Sequence, residues 1–302
     1  MRKTISLCIA YVLCTTTFSF AQNNGILPLT GIVYFNEGIS AKYAEVSIDG
    51  MNLISNRIPA NKEFIVKLQL PAGFTEDAGK KVYPAIEVLF LSSKKQQLAA
   101  IPNAIKDAEK TGFTANTFKE LSVKLILQPQ WLKNETECLI QIRYYDIKSK
   151  KQLRLHFRVS IAAATEPLWV SKLSTYIKTS DESLGLSNAL KMNKANIMVD
   201  TSIRVAPKNA YLSIDIPEIT GTTMPEVLGG KNSFWVYDKN MNEIKITDKL
   251  LKKIGGSMED NLVKFTVKIP FRLKTDTKQM YTIRYRWESA DRKKVIDIVA
   301  TK

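Results

Sequence analysis

The most restrictive feature of this chain is a period of two. In the stretch KEFIVKLQL (62–70), Phe64, Val66, Leu68 and Leu70 fall on one face, while Glu63, Lys67 and Gln69 fall on the other. The same alternation recurs in YAEVSID (43–49), LSVKLIL (121–127), MVDTSIRV (198–205), YLSIDI (211–216) and VKFTVKI (263–269). Short half-buried strands separated by turn residues specify antiparallel sheets with one wet face. Two stretches carry helix signals: IPNAIKDAEK (101–110), and TDKLLKKIGG (247–256) with Gly255 as its stop.

The pattern is written twice. From Phe64 to about Ala108 the second half follows the first at an offset of 146: Leu68 falls on Ile214, Pro71 on Pro217 and Leu98 on Ile244. The polar turn SSKKQQ (92–97) then matches DKNMNE (238–243). Past the first helix signal the offset becomes 141, bringing Leu121 onto Leu262, Pro129 onto Pro270 and Ile142-Arg143-Tyr144 onto Ile283-Arg284-Tyr285. The change of five places an insertion near TGFTAN (111–116). At this offset the alternation before Pro129 and Pro270 is out of phase by one residue, which a bulge would absorb. Two copies of this length are two similar domains rather than a solenoid. The expected fold class is all-β: two tandem antiparallel Ig-like β-sandwiches, each with one short helix.

Residues 1–21 begin with Arg2 and Lys3, run apolar from Ile5 to Phe18 and close on Ser19-Phe20-Ala21, the form of a secretory signal peptide. The reading is therefore 1–21 signal peptide, 22–164 first sandwich and 165–302 second sandwich, with Ala162–Pro167 as the linker. It implies a periplasmic or extracellular protein that is not transmembrane after cleavage, envelope-associated through a partner. Cys8 and Cys14 fall inside the signal, and each follows a leucine, which argues against lipidation. Cys138 is then the one thiol of the mature chain, expected to be a buried strand residue.

The formal charge of +15 is spread evenly. Residues 22–165 hold 19 Lys and Arg against 13 Asp and Glu, and residues 166–302 hold 23 against 16. Such a surface suits acidic glycans, anionic headgroups or acidic proteins, and outside the cytoplasm it does not indicate nucleic acid.

Catalytic signatures are missing from the sequence. His156 is the single histidine, which leaves histidine-based triads and zinc sites without partners. The carboxylate groups FTEDAG (74–79), NETE (134–137) and SDES (180–183) sit in turn-like contexts, and a sequence does not show two of them facing each other. The nucleophile-elbow, P-loop, dinucleotide and EF-hand patterns do not occur. No catalytic residue, cofactor or metal is assigned, and the chain is expected not to be an enzyme.

What remains is a candidate binding surface. Ile140, Ile142 and Tyr144, and likewise Tyr281, Ile283, Tyr285 and Trp287, pattern as core; Trp235 also lies on a strand face that patterns as core. The opposite face carries Arg143 in one copy and Arg284 and Arg286 in the other, which either meet a ligand or hold cross-strand carboxylates. Basic turns follow at Lys150-Lys151 and at Arg292-Lys293-Lys294, at matching places. Trp131 and Trp169 stand beside prolines, outside the alternation, as candidate stacking residues. Two basic sandwiches in tandem form a layout similar to that of periplasmic pilus chaperones, a similarity of layout that implies an assembly or adaptor role. The reading is an exported, non-catalytic interaction or assembly module whose partner is an acidic envelope or surface protein; the alternative is a carbohydrate or anionic-polymer binding protein, with an acidic glycan as ligand.

Overall fold

The computed structural model describes residues 24–178, 182–187, 190–192, 200–206, 209–244, 253–259, 262–271 and 281–301. The expected signal segment lies outside these residues. The first half forms β1 (Asn24–Ile26), β2 (Val33–Glu37), β3 (Tyr43–Ile48), β4 (Met51–Leu53), β5 (Arg57–Pro59), β6 (Glu63–Gln69), β7 (Lys81–Val82), β8 (Pro84–Ser92), β9 (Gln97–Ile101), β10 (Phe113–Thr114), β11 (Glu120–Ile126), β12 (Glu137–Asp146), β13 (Gln152–Ala162) and β14 (Val170–Ser171). The second forms β15 (Ser174–Lys178), β16 (Glu182–Ser187), β17 (Lys191–Met192), β18 (Asp200–Ala206), β19 (Asn209–Thr220), β20 (Lys231–Tyr237), β21 (Glu243–Ile244), β22 (Lys253–Glu259), β23 (Leu262–Phe271), β24 (Thr282–Glu288) and β25 (Val295–Thr301). The protein is all-β, and its helices are short.

Each half repeats one topology. The sheet β1-β2-β13-β12-β8-β9 of the first half has its counterpart in β15-β16-β25-β24-β20-β21, and β11-β6-β3 has its counterpart in β23-β19-β18. In the first sandwich the alternating residues meet as designed by their period. Val46, Phe64, Val66, Leu68, Val123 and Leu125 from one sheet pack against Val88, Phe90, Cys138, Ile140, Ile142, Leu155 and Phe157 from the other in one continuous core. Burying each such side chain contributes about 1.5–3 kcal/mol, so the inner faces dominate the stability of the domain. Cys138 is one of them, and burial pushes its thiol up to about 11, which leaves it protonated and inert at neutral pH.

The strand pairings locate the repeat and correct the offsets read from the sequence. The polar turn recurs as expected: Ser92 N donates to Gln96 O and Asp238 N to Asn242 O, while Lys95 and Met241, 146 positions apart, share left-handed φ values of 64° and 63°. The offset of 146 then persists. Leu68 stands opposite Leu121, and Ile214 stands opposite Val267, so Leu121 corresponds to Val267 and not to Leu262. Pro129 opens the four-residue helix α2 (Pro129–Leu132), whereas Pro270 lies within β23 opposite Tyr211. With this correction the phase conflict disappears.

In the final hairpin Tyr144 faces Leu153 as Trp287 faces Ile296, and the turn bonds from Asp146 N to Lys151 O and from Ser289 N to Lys294 O agree, an offset of 143. Arg143-Tyr144 therefore corresponds to Arg286-Trp287, and the repeated Ile-Arg-Tyr is two residues out of structural register. A slip of two along a strand returns every side chain to the same face, so the alternation did not reveal it. The length difference is three residues, and it falls after β11.

Three other expectations change. The expected helix at 101–110 is shorter and later, spanning Lys106–Thr111 (α1), because Pro102 precedes it and Asn103 Oδ1 accepts from the amides of Ile86 and Ile105. The second helix signal, 247–256, lies outside the described residues up to 252, and from Lys253 the chain is a strand paired with β23. The short helix of the second half is Met224–Gly229 (α3), where the Glu226 side chain accepts from Thr223 N at 2.9 Å. Finally, β14 pairs with β4 of the first half although it lies past the expected boundary at 164/165. No helix among the described residues is long and apolar enough to cross a membrane.

One core residue breaks the polar accounting. Tyr144 is fully buried, its hydroxyl has no hydrogen-bond partner among the described residues, and burial raises its phenol well above the ordinary range. Trp287, at the corresponding position, donates from Nε1 to Val227 O at 3.1 Å. An unpaired buried hydroxyl costs about 1–3 kcal/mol. Tyr144→Phe is therefore expected to preserve or raise the urea midpoint of unfolding, whereas Trp287→Phe lowers it.

Candidate functional site: the interdomain cleft

The two sandwiches meet through a loop that closes on itself. Between β1 and β2, Leu27 N donates to Ile32 O and Gly31 N to Leu27 O, and this tight loop presents Leu29. Leu29 is buried with Ile54 and Val295, with Trp169 packed alongside, and it approaches Gly185 so closely that a Cβ there would lie 2.7 Å from Leu29 Cγ. A second apolar contact, of Ile26, Met241 and Val299 with Val33, Phe35 and Tyr237, closes another side.

Between these contacts lies a buried charge network on the outer face of β24 and β25. Asp297 is fully buried and accepts hydrogen bonds from Leu29 N (3.0 Å), Arg284 Nε and Nη2 (3.0 and 2.6 Å to the nearer oxygens) and Arg286 Nη1 (3.1 Å). Arg286 also donates to Leu29 O (2.7 Å), Ile54 O (2.5 Å) and Glu288 (2.5 Å). Two guanidiniums of the second domain are thus bonded or packed against the backbone of the first. Burial opposes the charge of Arg284, but Asp297 outweighs it and holds the group above its ordinary value. Gly31 makes room for this arrangement: it adopts φ +72°, and a Cβ built on it would fall 1.9 Å from Arg284 Nη1.

Beyond the contact the two outer sheet faces diverge, leaving a cleft of about 900 Å³. One wall is β2, β12 and β13 with Phe35, Gln141, His156 and Arg158, and the other is β20 with Lys231, Ser233, Trp235 and Tyr237. Among the described residues the lining carries seven cations (Arg57, Lys95, Arg158, Lys231, Arg284, Arg286, Arg292) against three carboxylates (Glu166, Glu243, Glu288), and the buried Asp297 behind Arg284 and Arg286 makes a fourth, which leaves a net positive charge. Arg292 stacks over the Trp169 ring at 4.8 Å, and Glu166 accepts a two-pronged contact from Arg57 at 2.7 and 2.6 Å. Burial and then Arg154 lower the pKa of His156, which favours its neutral form.

The residues expected to bind are divided by this geometry. Arg284, Arg286, Arg292 and Trp169 come together in the cleft. Arg284 and Arg286 stand on the non-core face, but the first domain covers them, and they hold cross-strand Asp297, which lies directly opposite Arg286. Arg143 stays exposed on its own sheet, opposite Glu87 with its Nη1 3.2 Å from that carboxylate. Lys151 donates to Gly73 O and Lys294 to Glu226, while Lys150 and Lys293 are exposed; none of the four lines the cleft. Trp131 packs on Phe90 with ring centroids 5.3 Å apart, as part of the core margin.

Trp235 was expected on a core face. It lies instead opposite Arg284, whose guanidinium carbon is 4.9 Å from its ring, on the outer face. Four consecutive apolar residues, Phe234 to Tyr237, hid its orientation. Arg57, Arg158 and Lys231 were also missed, since isolated basic residues on strands carry no local signal. Among the described residues no three His, Cys, Asp or Glu side chains gather into a metal-holding group.

No protein-family model matches the sequence, and no curated protein is significantly similar to it. Among solved structures, the C-terminal domain of wzt is similar over 51% of this chain and 92% of that chain, at 8% identity and a TM-score of 0.33.

Removing Asp297 leaves the buried Arg284 guanidinium without a carboxylate partner, while Arg286 keeps only Glu288. Asp297→Ala is expected to destabilise the protein by about 3–5 kcal/mol, measured by urea unfolding. A milder pH effect comes from Glu226, whose carboxyl is held at about 2 by the Lys294 hydrogen bond and then the Thr223 amide. Because the folded value is depressed, this contribution is complete above about 4.5 and is lost as the pH falls toward 2. The wild type should lose stability across that window more steeply than Glu226→Gln.

Proposed function

We propose that this protein is an exported, non-catalytic binding module that holds an anionic polymer in the cleft between its two sandwiches. Export rests on the form of residues 1–21. The observation that carries the ligand assignment is the cleft lining, in which, among the described residues, cations outnumber carboxylates seven to four around Trp169, Trp235 and Tyr237 when the buried Asp297 behind Arg284 and Arg286 is counted. An open, strand-walled groove with a positive field suits an extended polyanion, whose affinity gains from each neutralised charge and falls with added salt.

A protein adaptor is the second reading, favoured by one end of the first domain. There Leu70 and Phe113 are exposed, Phe113 stacks on Phe118 at 5.2 Å, and Leu70 N bonds Lys119 O beside that pair.

The test is calorimetric titration with heparin, polygalacturonate and polyphosphate against neutral dextran, at low and high salt. The expected result is that polyanions bind, dextran does not, and salt weakens the binding. The double substitution Arg158→Ala and Arg292→Ala should lower affinity by about tenfold or more. Equal binding of dextran, or no effect of the double substitution, would overturn the proposal. Stoichiometric recovery of a protein partner that survives high salt would favour the adaptor.

A further inference from the structure

The cleft is not uniformly charged, and its aromatic component indicates what kind of polyanion fits. Lys231, Ser233, Trp235 and Tyr237 alternate along β20 and therefore share its outer face, spaced about 7 Å apart. Trp235 is half-buried and lines the cleft, so part of its ring is available. Its orientation is fixed from the neighbouring strand by the Arg284 guanidinium, 4.9 Å from the ring centroid. Arg284 is fixed in turn by Asp297 and by the space that Gly31 leaves. An indole held in this way is a rigid apolar platform, ordered before any ligand arrives.

A platform of this kind is wasted on a chain that offers only charge. A pyranose ring presents apolar C–H faces to an aromatic surface and hydroxyls at its rim, and Ser233, Gln141, Asn240 and Asn242 line the cleft as amide and hydroxyl partners. A carboxylate on the ring would find cations in the same lining, among them Lys231, Arg158 and Arg292. Resting on the reading of the cleft as a polyanion site, we infer that Trp235 is a sugar-stacking residue, with Arg284 as its positioning residue, and that the polymer is a glycan of carboxylated sugars.

The experiment compares polygalacturonate with polyphosphate of matched charge on the wild type, Trp235→Ala and Trp235→Phe. Thermal unfolding of each variant checks that the fold is kept. The expected result is tighter binding of polygalacturonate, lost by about tenfold in Trp235→Ala and largely retained in Trp235→Phe, with polyphosphate affinity unchanged by either. If the two polymers bind alike and Trp235→Ala alters neither, the sugar assignment fails while the polyanion reading stands. If neither polymer binds the wild type, the polyanion reading fails and takes this inference with it.

Discussion

A buried carboxylate organises this molecule. Asp297 has no solvent exposure, yet it accepts from two guanidiniums of its own domain and from a backbone amide of the other. Taking one carboxylate and two arginines out of water is costly, and the cost is offset only when nearly every donor finds an acceptor. Here Leu29 O, Ile54 O and Glu288 complete the set for Arg286. The polar face of one sandwich thus becomes a socket for the main chain of the other, and a short connection between domains becomes a defined geometry.

The comparison between repeats shows how much the surroundings decide. Arg143 and Arg286 occupy corresponding positions, each on the outer face of the same strand and each facing an acid. Arg143 remains exposed beside Glu87, where an ion pair contributes at most about 1 kcal/mol. Arg286 is covered by the first domain and supports the domain contact. Sheet topology is common to both copies, so the difference arises from the β1–β2 loop, which lies over the second domain's sheet. The same contact leaves the rest of both outer faces open, and that open part is the cleft.

The period of two made most strands and their inner faces legible, including the Ile140, Ile142 and Tyr144 series and its counterpart from Tyr281 to Trp287. The repeat was legible in its turns, where polar residues and left-handed positions coincide, and less so in its strands, where a shift of two changes no face. The strand from Lys253 was hidden because Gly255 and Gly256 read as a helix stop. In the candidate site, Arg284, Arg286, Arg292 and Trp169 could be named from the sequence, but their convergence could not, since it depends on a contact between residues more than 200 positions apart. Trp235 was misplaced because an unbroken apolar run has no phase.

The buried network joins the two sandwiches into one body with a fixed cleft. The most direct test is a distance distribution between spin labels placed at exposed Lys80 and Lys239, one in each domain, measured by double electron–electron resonance at low and high salt. One narrow distribution, unchanged by salt, is the predicted result, because a network with a fully buried carboxylate is poorly screened. A broad distribution, or one that widens with salt, would show that the domains move independently and would contradict the account.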